Sequence, residues 1–199
     1  LPDLYHRPVD GKGDWDTHVG DWDLMGSQFG LAPDLFGWHK WKLGWLRPRQ
    51  VACVRGPGAA RISLEPLGAG PGVPVRGAAG APLFGLGRGT KLAVVRTGAD
   101  SVLAFEARGP VGNDAEVCRA GVLVYRVRGG TQSGGGPVEV LDAHPGSEAC
   151  WENSVYPPLA DAPVGLGESF TVPGEDVRLE VTGRRASGEW DIKITPGGS

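Results

Sequence analysis

From residue 50 onward the apolar residues come in short runs separated by glycine, proline and charged side chains, and in the last two runs they alternate strictly with polar ones. Val177, Leu179 and Val181 fall on one side and Arg178 and Glu180 on the other; after turn residues 184–188, Trp190, Ile192 and Ile194 repeat the period of two. That period belongs to a strand with one buried face, so segments 177–182 and 189–194 are expected to form a hairpin. Further strands are expected at 50–55, 61–65, 91–96, 102–107, 120–127, 138–141 and 170–172. Many short strands between Gly- and Pro-rich turns predict an antiparallel β-sandwich or barrel. Residues 129–136 read as a hairpin connection and 68–89 as a long loop.

Before residue 46 the period changes. Leu35, Trp38, Trp41 and Trp45 recur at spacings of three and four, with Lys40 and Lys42 directed elsewhere, which is one apolar helix face. Pro33 at the first position, Asp34 in the first turn and Gly44 at the end predict a short helix over this stretch. Just upstream, Asp21-Trp22-Asp23-Leu24-Met25-Gly26 reads as a sharp polar turn that carries the only methionine. Pro48 stops the helical pattern. The chain therefore divides on paper into residues 1–48 and a β-sandwich-like unit, 49–199, expected to fold without the first 45 residues.

Composition narrows the function. With 34 Gly and 17 Pro in 199 residues the chain is rich in turns and poor in helix formers, and its net charge of −3 comes without any basic block. Nucleic acid and anionic membrane are therefore poor partners. No apolar run approaches the ~20 residues of a membrane-spanning helix. Gly85-Leu86-Gly87-Arg88-Gly89 lacks the lysine and following helix of a phosphate loop, and no G-x-S-x-G elbow is present.

Asp3, Asp10, Asp14, Asp16, Asp21 and Asp23 face only Arg7 and Lys12 as basic partners, so they need solvent or a cation. The alternating oxygen donors and glycines of 10–16 make Asp10, Asp14 and Asp16 a possible calcium site, without the distal glutamate of an EF-hand loop. Glu106 stands alone as an acid in a strongly apolar run, and a buried acid needs a partner; Arg108 and Arg126 are the candidates. His6, His18, His39 and His144 never occur as a pair four apart with an intervening glutamate, so the chain contains no H-E-x-x-H.

Leu1-Pro2-Asp3-Leu4-Tyr5, then Trp22-Asp23-Leu24-Met25, then Phe36-Gly37-Trp38-His39-Lys40-Trp41-Lys42-Leu43-Gly44-Trp45-Leu46 resemble, in order and spacing, the immune inhibitor A family of secreted, metzincin-like zinc metallopeptidases. Segment 102–127 resembles, more loosely, the part that follows the catalytic domain of these enzymes. The family motif runs H-E-x-G-H-x-x-G-L-P-D-x-Y and is followed by a methionine turn. The resemblance implies that Asp3 is the third zinc ligand and Met25 the methionine beneath the metal. It implies that two ligand histidines and the general-base glutamate lie upstream, making residues 1–48 the end of a catalytic domain and the chain a fragment.

In the family, zinc lowers the pKa of a bound water whose hydroxide attacks a peptide carbonyl. Protein or peptide substrates are thus expected for the whole enzyme, and no activity for this chain alone. A secreted family also implies an oxidising compartment, in which Cys118 and Cys150, both in loop-like settings, would pair, leaving Cys53 as a buried odd thiol in its apolar run. Other readings are a non-catalytic β-sandwich binding module or a decayed peptidase homologue. Five of the seven tryptophans precede residue 46, around the proposed site and not along the strands, which favours the peptidase.

Overall fold

The computed structural model describes residues 1–6, 16–26, 33–70, 75–76, 82–83, 87–154 and 156–197. Thirteen strands and one α-helix follow in chain order among them: β1 (Tyr5–His6), β2 (Asp16–Thr17), α1 (Gly37–Lys42), β3 (Val51–Val54), β4 (Ala60–Leu64), β5 (Val75–Arg76), β6 (Pro82–Leu83), β7 (Leu92–Arg96), β8 (Ser101–Arg108), β9 (Gly121–Arg128), β10 (Val138–Leu141), β11 (Ser169–Thr171), β12 (Val177–Arg184) and β13 (Trp190–Pro196). The molecule is mainly β, as the alternation requires. Among the described residues no helix is long and apolar enough to cross a membrane.

Two sheets pack face to face, one ordered β10-β9-β8-β7-β3 and the other β11-β12-β13-β4. Leu103, Phe105, Ala107, Val122 and Val124 of the first meet Leu179, Val181, Trp190, Ile192 and Ile194 of the second in one buried cluster. Burying each of the larger side chains is worth about 1.5–3 kcal/mol. The β12–β13 hairpin is the one that the period of two announces, with a register shift between Val181 and Gly183. Pairing is antiparallel except between β3 and β7, which run parallel. After β3 the chain crosses to β4 in the other sheet and returns, so β7 enters the first sheet in the same direction as β3.

The five-stranded sheet is covered on its second face too. Alternate residues Leu92, Val94, Ala104, Leu123, Tyr125, Val127, Val138 and Val140 form another cluster with Leu4, Val19, Trp22, Phe36 and Leu46 from the first 46 residues. Strands buried on both faces read as continuous apolar runs, which is why β7, β8 and β9 lack a clean alternation. The expected division at residues 48 and 49 falls on a 3-10 turn, Pro48–Gln50, that leads into β3.

Two sequence expectations change here. Helix α1 starts at Gly37, four residues after Pro33, and its aromatic face is shorter than expected: Trp38 and Trp41 pack on the sheet, whereas Trp45 is 63% exposed. Gly44, at φ +75°, turns the chain out of the helix before Trp45 is reached. Cys53 is exposed, not buried. It lies on edge strand β3, where the flanking Ala52 and Val54 pack into the sandwich and the alternation turns Cys53 outward. Cys118 and Cys150 form a disulfide across 32 residues, worth roughly 3–4 kcal/mol in the chain-entropy account. A disulfide is compatible with an extracellular protein.

Candidate functional site

Asp23 organises the turn that carries Met25. Its carboxylate is fully buried; Oδ1 accepts the Met25 N–H at 2.8 Å, and its carbonyl accepts the Gly26 N–H at 2.9 Å, so the side chain closes the turn on itself. Oδ2 accepts the Phe36 N–H at 2.6 Å and meets His39 Nδ1 at 2.9 Å. A carboxylate only accepts, so Nδ1 carries the proton of that bond. His39 is itself buried, and its Nε2 has no partner.

The turn is fastened on two further sides. Leu4 N–H donates to the Met25 carbonyl at 3.0 Å, and the Leu4 carbonyl accepts from His18 N–H at 3.1 Å. Asp3 is therefore adjacent in the chain to a residue bonded directly to Met25, and its own N–H and carbonyl are taken by Ser133 Oγ (2.7 Å) and Gly134 N–H (2.9 Å). Its side chain is exposed while Leu4 is wholly buried and Met25 half-buried. On the far side, Trp22 Nε1–H donates to the Leu159 carbonyl at 2.6 Å, and Ser154 hydroxyl donates to Asp21. Ser154 and Leu159 follow Cys150 in the chain, so the disulfide holds this buttress near the loop after β8.

Beneath the turn lies a charged network on the covered face of β8. Arg108 is fully buried, and each of its five N–H donors finds an acceptor. Nε and Nη2 form a fork on Asp114, both at 2.6 Å; Nη1 reaches the Trp22 carbonyl at 2.9 Å and Glu106 Oε1 at 3.0 Å; Nη2 also reaches the Asp34 carbonyl at 3.4 Å. Glu106 Oε2 accepts from Gly37 N–H (2.7 Å) and from Tyr125 hydroxyl (2.7 Å), whose oxygen in turn accepts Trp38 N–H (3.1 Å).

Arg108 is the Glu106 partner, and Arg126 is not. Arg126 points to the opposite face of the sheet and pairs with Glu139 and Glu175. Burial opposes the Arg108 charge, yet the Asp114 and Glu106 carboxylates more than offset it, and the guanidinium holds its proton more tightly than usual. Burial raises the Glu106 carboxyl despite Arg108, and raises Tyr125 further with help from the Glu106 charge.

This network also explains the late start of α1. The amides of Phe36, Gly37 and Trp38 are already taken by Asp23, Glu106 and Tyr125, so side chains on the turn and the sheet do the capping that a local N-cap residue would otherwise do. Asp34 sits upstream of the helix, with its N–H on Asp114 (3.1 Å) and its carboxylate on Lys40 (2.5 Å). The network is buried, and of the turn above it Leu24 is exposed.

Among the site residues expected from sequence, Asp3 is next in the chain to Leu4, whose N–H bonds the Met25 carbonyl, and Cys118 is bonded to Cys150. The calcium expectation at Asp10, Asp14 and Asp16 lies outside the described residues, apart from the backbone of Asp16 in β2. For zinc, Asp3 stands without companions: among the described residues no three His, Cys, Asp or Glu side chains converge on a point. These residues alone do not make a zinc site, which needs three protein ligands. The Asp23–His39 pair and Asp114 are absent from the sequence reading; their only signal was acids and a histidine in otherwise apolar company. No family model, curated protein or solved structure matches the chain.

Proposed function

We propose that the chain is the C-terminal portion of a secreted zinc-dependent endopeptidase resembling the immune inhibitor A family, which hydrolyses peptide bonds in proteins. In this reading residues 1–48 close the catalytic domain, Asp3 is one of three zinc ligands, Met25 lies beneath the metal, and the β-sandwich supports both. The observation that supports it is the Leu4 N–H bond to the Met25 carbonyl. It ties the backbone next to Asp3 to the backbone of the lone methionine across 21 residues of chain, an approach that a metal site with a methionine floor needs.

Zinc, when bound, supplies an activated water at neutral pH. What this chain contributes is positional: the Asp23 turn fixes Met25, and the Arg108 network fixes Asp23's surroundings. With one ligand, the 199 residues alone are expected neither to retain zinc through dialysis nor to cleave casein. The protein carrying the complete H-E-x-x-H motif does both, and Asp3→Ala in it loses zinc and most activity, while Met25→Leu, close in volume, mainly costs stability. Zinc content by elemental analysis and chelator-sensitive peptide release decide the matter. Zinc content indifferent to Asp3→Ala refutes the ligand assignment, and a reading frame without the motif leaves a decayed homologue.

A further inference from the structure

Asp161 is 1% exposed, and both of its carboxylate oxygens are buried without a hydrogen-bond partner; among the described residues no other carboxylate is in that condition. Asp23, Glu106 and Asp114 are as deeply buried, yet each is fully engaged. An ionised carboxylate does not stay dry and unpaired, because the loss of hydration is too costly. It keeps its charge only beside a group of opposite charge.

The backbone brings a second carboxylate to the same place. Ala143 N–H donates to the Ala162 carbonyl at 3.2 Å, and His144 Nδ1 meets the Asp161 carbonyl at 2.7 Å, so residues 142–144 lie alongside 161–162. Asp142 thereby joins the seam, with Oδ1 accepting the His144 N–H at 2.8 Å. Its carboxyl is raised first by burial and also by the negative charge of Asp161, so the two groups feel one another. The neighbouring nitrogen groups are spent elsewhere: His144 Nε2 and Arg119 both go to Glu168, at 2.9 and 2.6 Å.

We propose that Asp161 and Asp142 bind a calcium-class divalent cation at the seam between the end of β10 and segment 160–164. The available donors are all oxygen, which selects a hard cation over zinc or copper. Calcium tolerates an irregular set of six to eight oxygens, with main-chain carbonyls and water completing the shell, whereas magnesium demands near-octahedral geometry. The ion ties the seam to the 3-10 turn Pro157–Leu159, whose Leu159 carbonyl holds Trp22, and so stiffens the buttress of the methionine turn. The proposal is independent of the peptidase reading and of the aspartates at 10–16.

The test is thermal unfolding of the 199-residue chain after EDTA treatment, with calcium or magnesium added back. Calcium at a hundred times its Kd is expected to raise Tm by about 5–10 °C, and magnesium at the same concentration by much less. Asp161→Asn keeps the shape without the charge; it is expected to abolish the calcium response and to melt no lower than wild type in EDTA. Asp142→Asn is expected to weaken calcium binding tenfold or more. A wild-type Tm unmoved by calcium up to about 10 mM, above the weakest extracellular sites, overturns the proposal. So does an Asp161→Asn variant that keeps the full shift, which would put the ion elsewhere. Should that variant fail to fold, titration calorimetry on wild type and Asp142→Asn decides: one site weakened by the substitution supports the proposal, and no binding or unchanged affinity refutes it.

Discussion

Replacing Arg108 by methionine keeps much of its length and removes all five donors at once. Asp114 then loses its forked partner, Glu106 loses its only cationic contact within hydrogen-bond reach, and the Trp22 and Asp34 carbonyls lose a donor each. Removing one partner of a buried ion pair costs about 3–5 kcal/mol, and each orphaned buried acceptor adds about 1–3 kcal/mol. With partial relaxation the loss should be at least about 4 kcal/mol, against a total stability on the order of 5–15 kcal/mol. For a chain of this size that lowers Tm by at least about 8 °C. Most of the penalty lies in stranded carboxylates, so Arg108→Met combined with Glu106→Gln and Asp114→Asn should recover a large part of it. Urea unfolding followed by tryptophan fluorescence measures both differences. A loss below about 1 kcal/mol, or a triple variant no better than the single one, would refute the claim that charge pairing beneath the turn holds the face together.

Asp23→Ala strands three donors, at half-buried Met25 and at buried Phe36 and His39, and should cost about 3 kcal/mol; hydrogen exchange should speed up at the Met25 and Phe36 amides together, and acceleration of only one would show that a single carboxylate does not link them. In the folded protein, alkylation should modify Cys53 within minutes, and digestion without reductant should yield Cys118 and Cys150 as one linked peptide pair; a protected Cys53 contradicts its edge position. Asp191 is held below its ordinary pKa by hydrogen bonds from Arg185 and then Ser63. A depressed carboxylate gives its full stabilisation above the unfolded value of about 3.9 and loses it as pH falls through the folded value. The stability gap between wild type and Asp191→Asn should therefore close on acidification below about pH 4; a gap independent of pH would refute the assignment.

How far the sequence foretold all this depends on where each residue's partners lie. The β12–β13 hairpin was legible because its partners are near in the chain and one face is wet, so the pattern carries the answer. Glu106 was legible as an anomaly, and Arg108, two residues away on the same face, as one of two candidate partners. Asp114 and the Asp23–His39 pair were not, because in sequence they look like ordinary loop acids and a helix histidine. What buries them is a sheet whose covering layer comes from far away: Gly37 meets Glu106 across 69 residues, and Trp22 meets Leu159 across 137. Cys53 misled for the opposite reason, since an apolar run implies burial only if both faces are covered, and an edge strand need not be. Asp161 sits among alanines and a proline, where nothing marks a carboxylate left unpaired.

The covering layer has a consequence in time. Leu4, Trp22 and Phe36 are made before every strand they rest on, from β7 to β10, and Ala162 comes later still. At roughly 5–20 residues per second, the first 46 residues wait about 6–20 s for the surface they belong to. Contacts across such long stretches of chain also form slowly once all the parts exist. These residues thus settle only after the strands beneath them exist, and until then Trp22 and Phe36 are in the open, where a chaperone, a protease or another unfinished copy can find them.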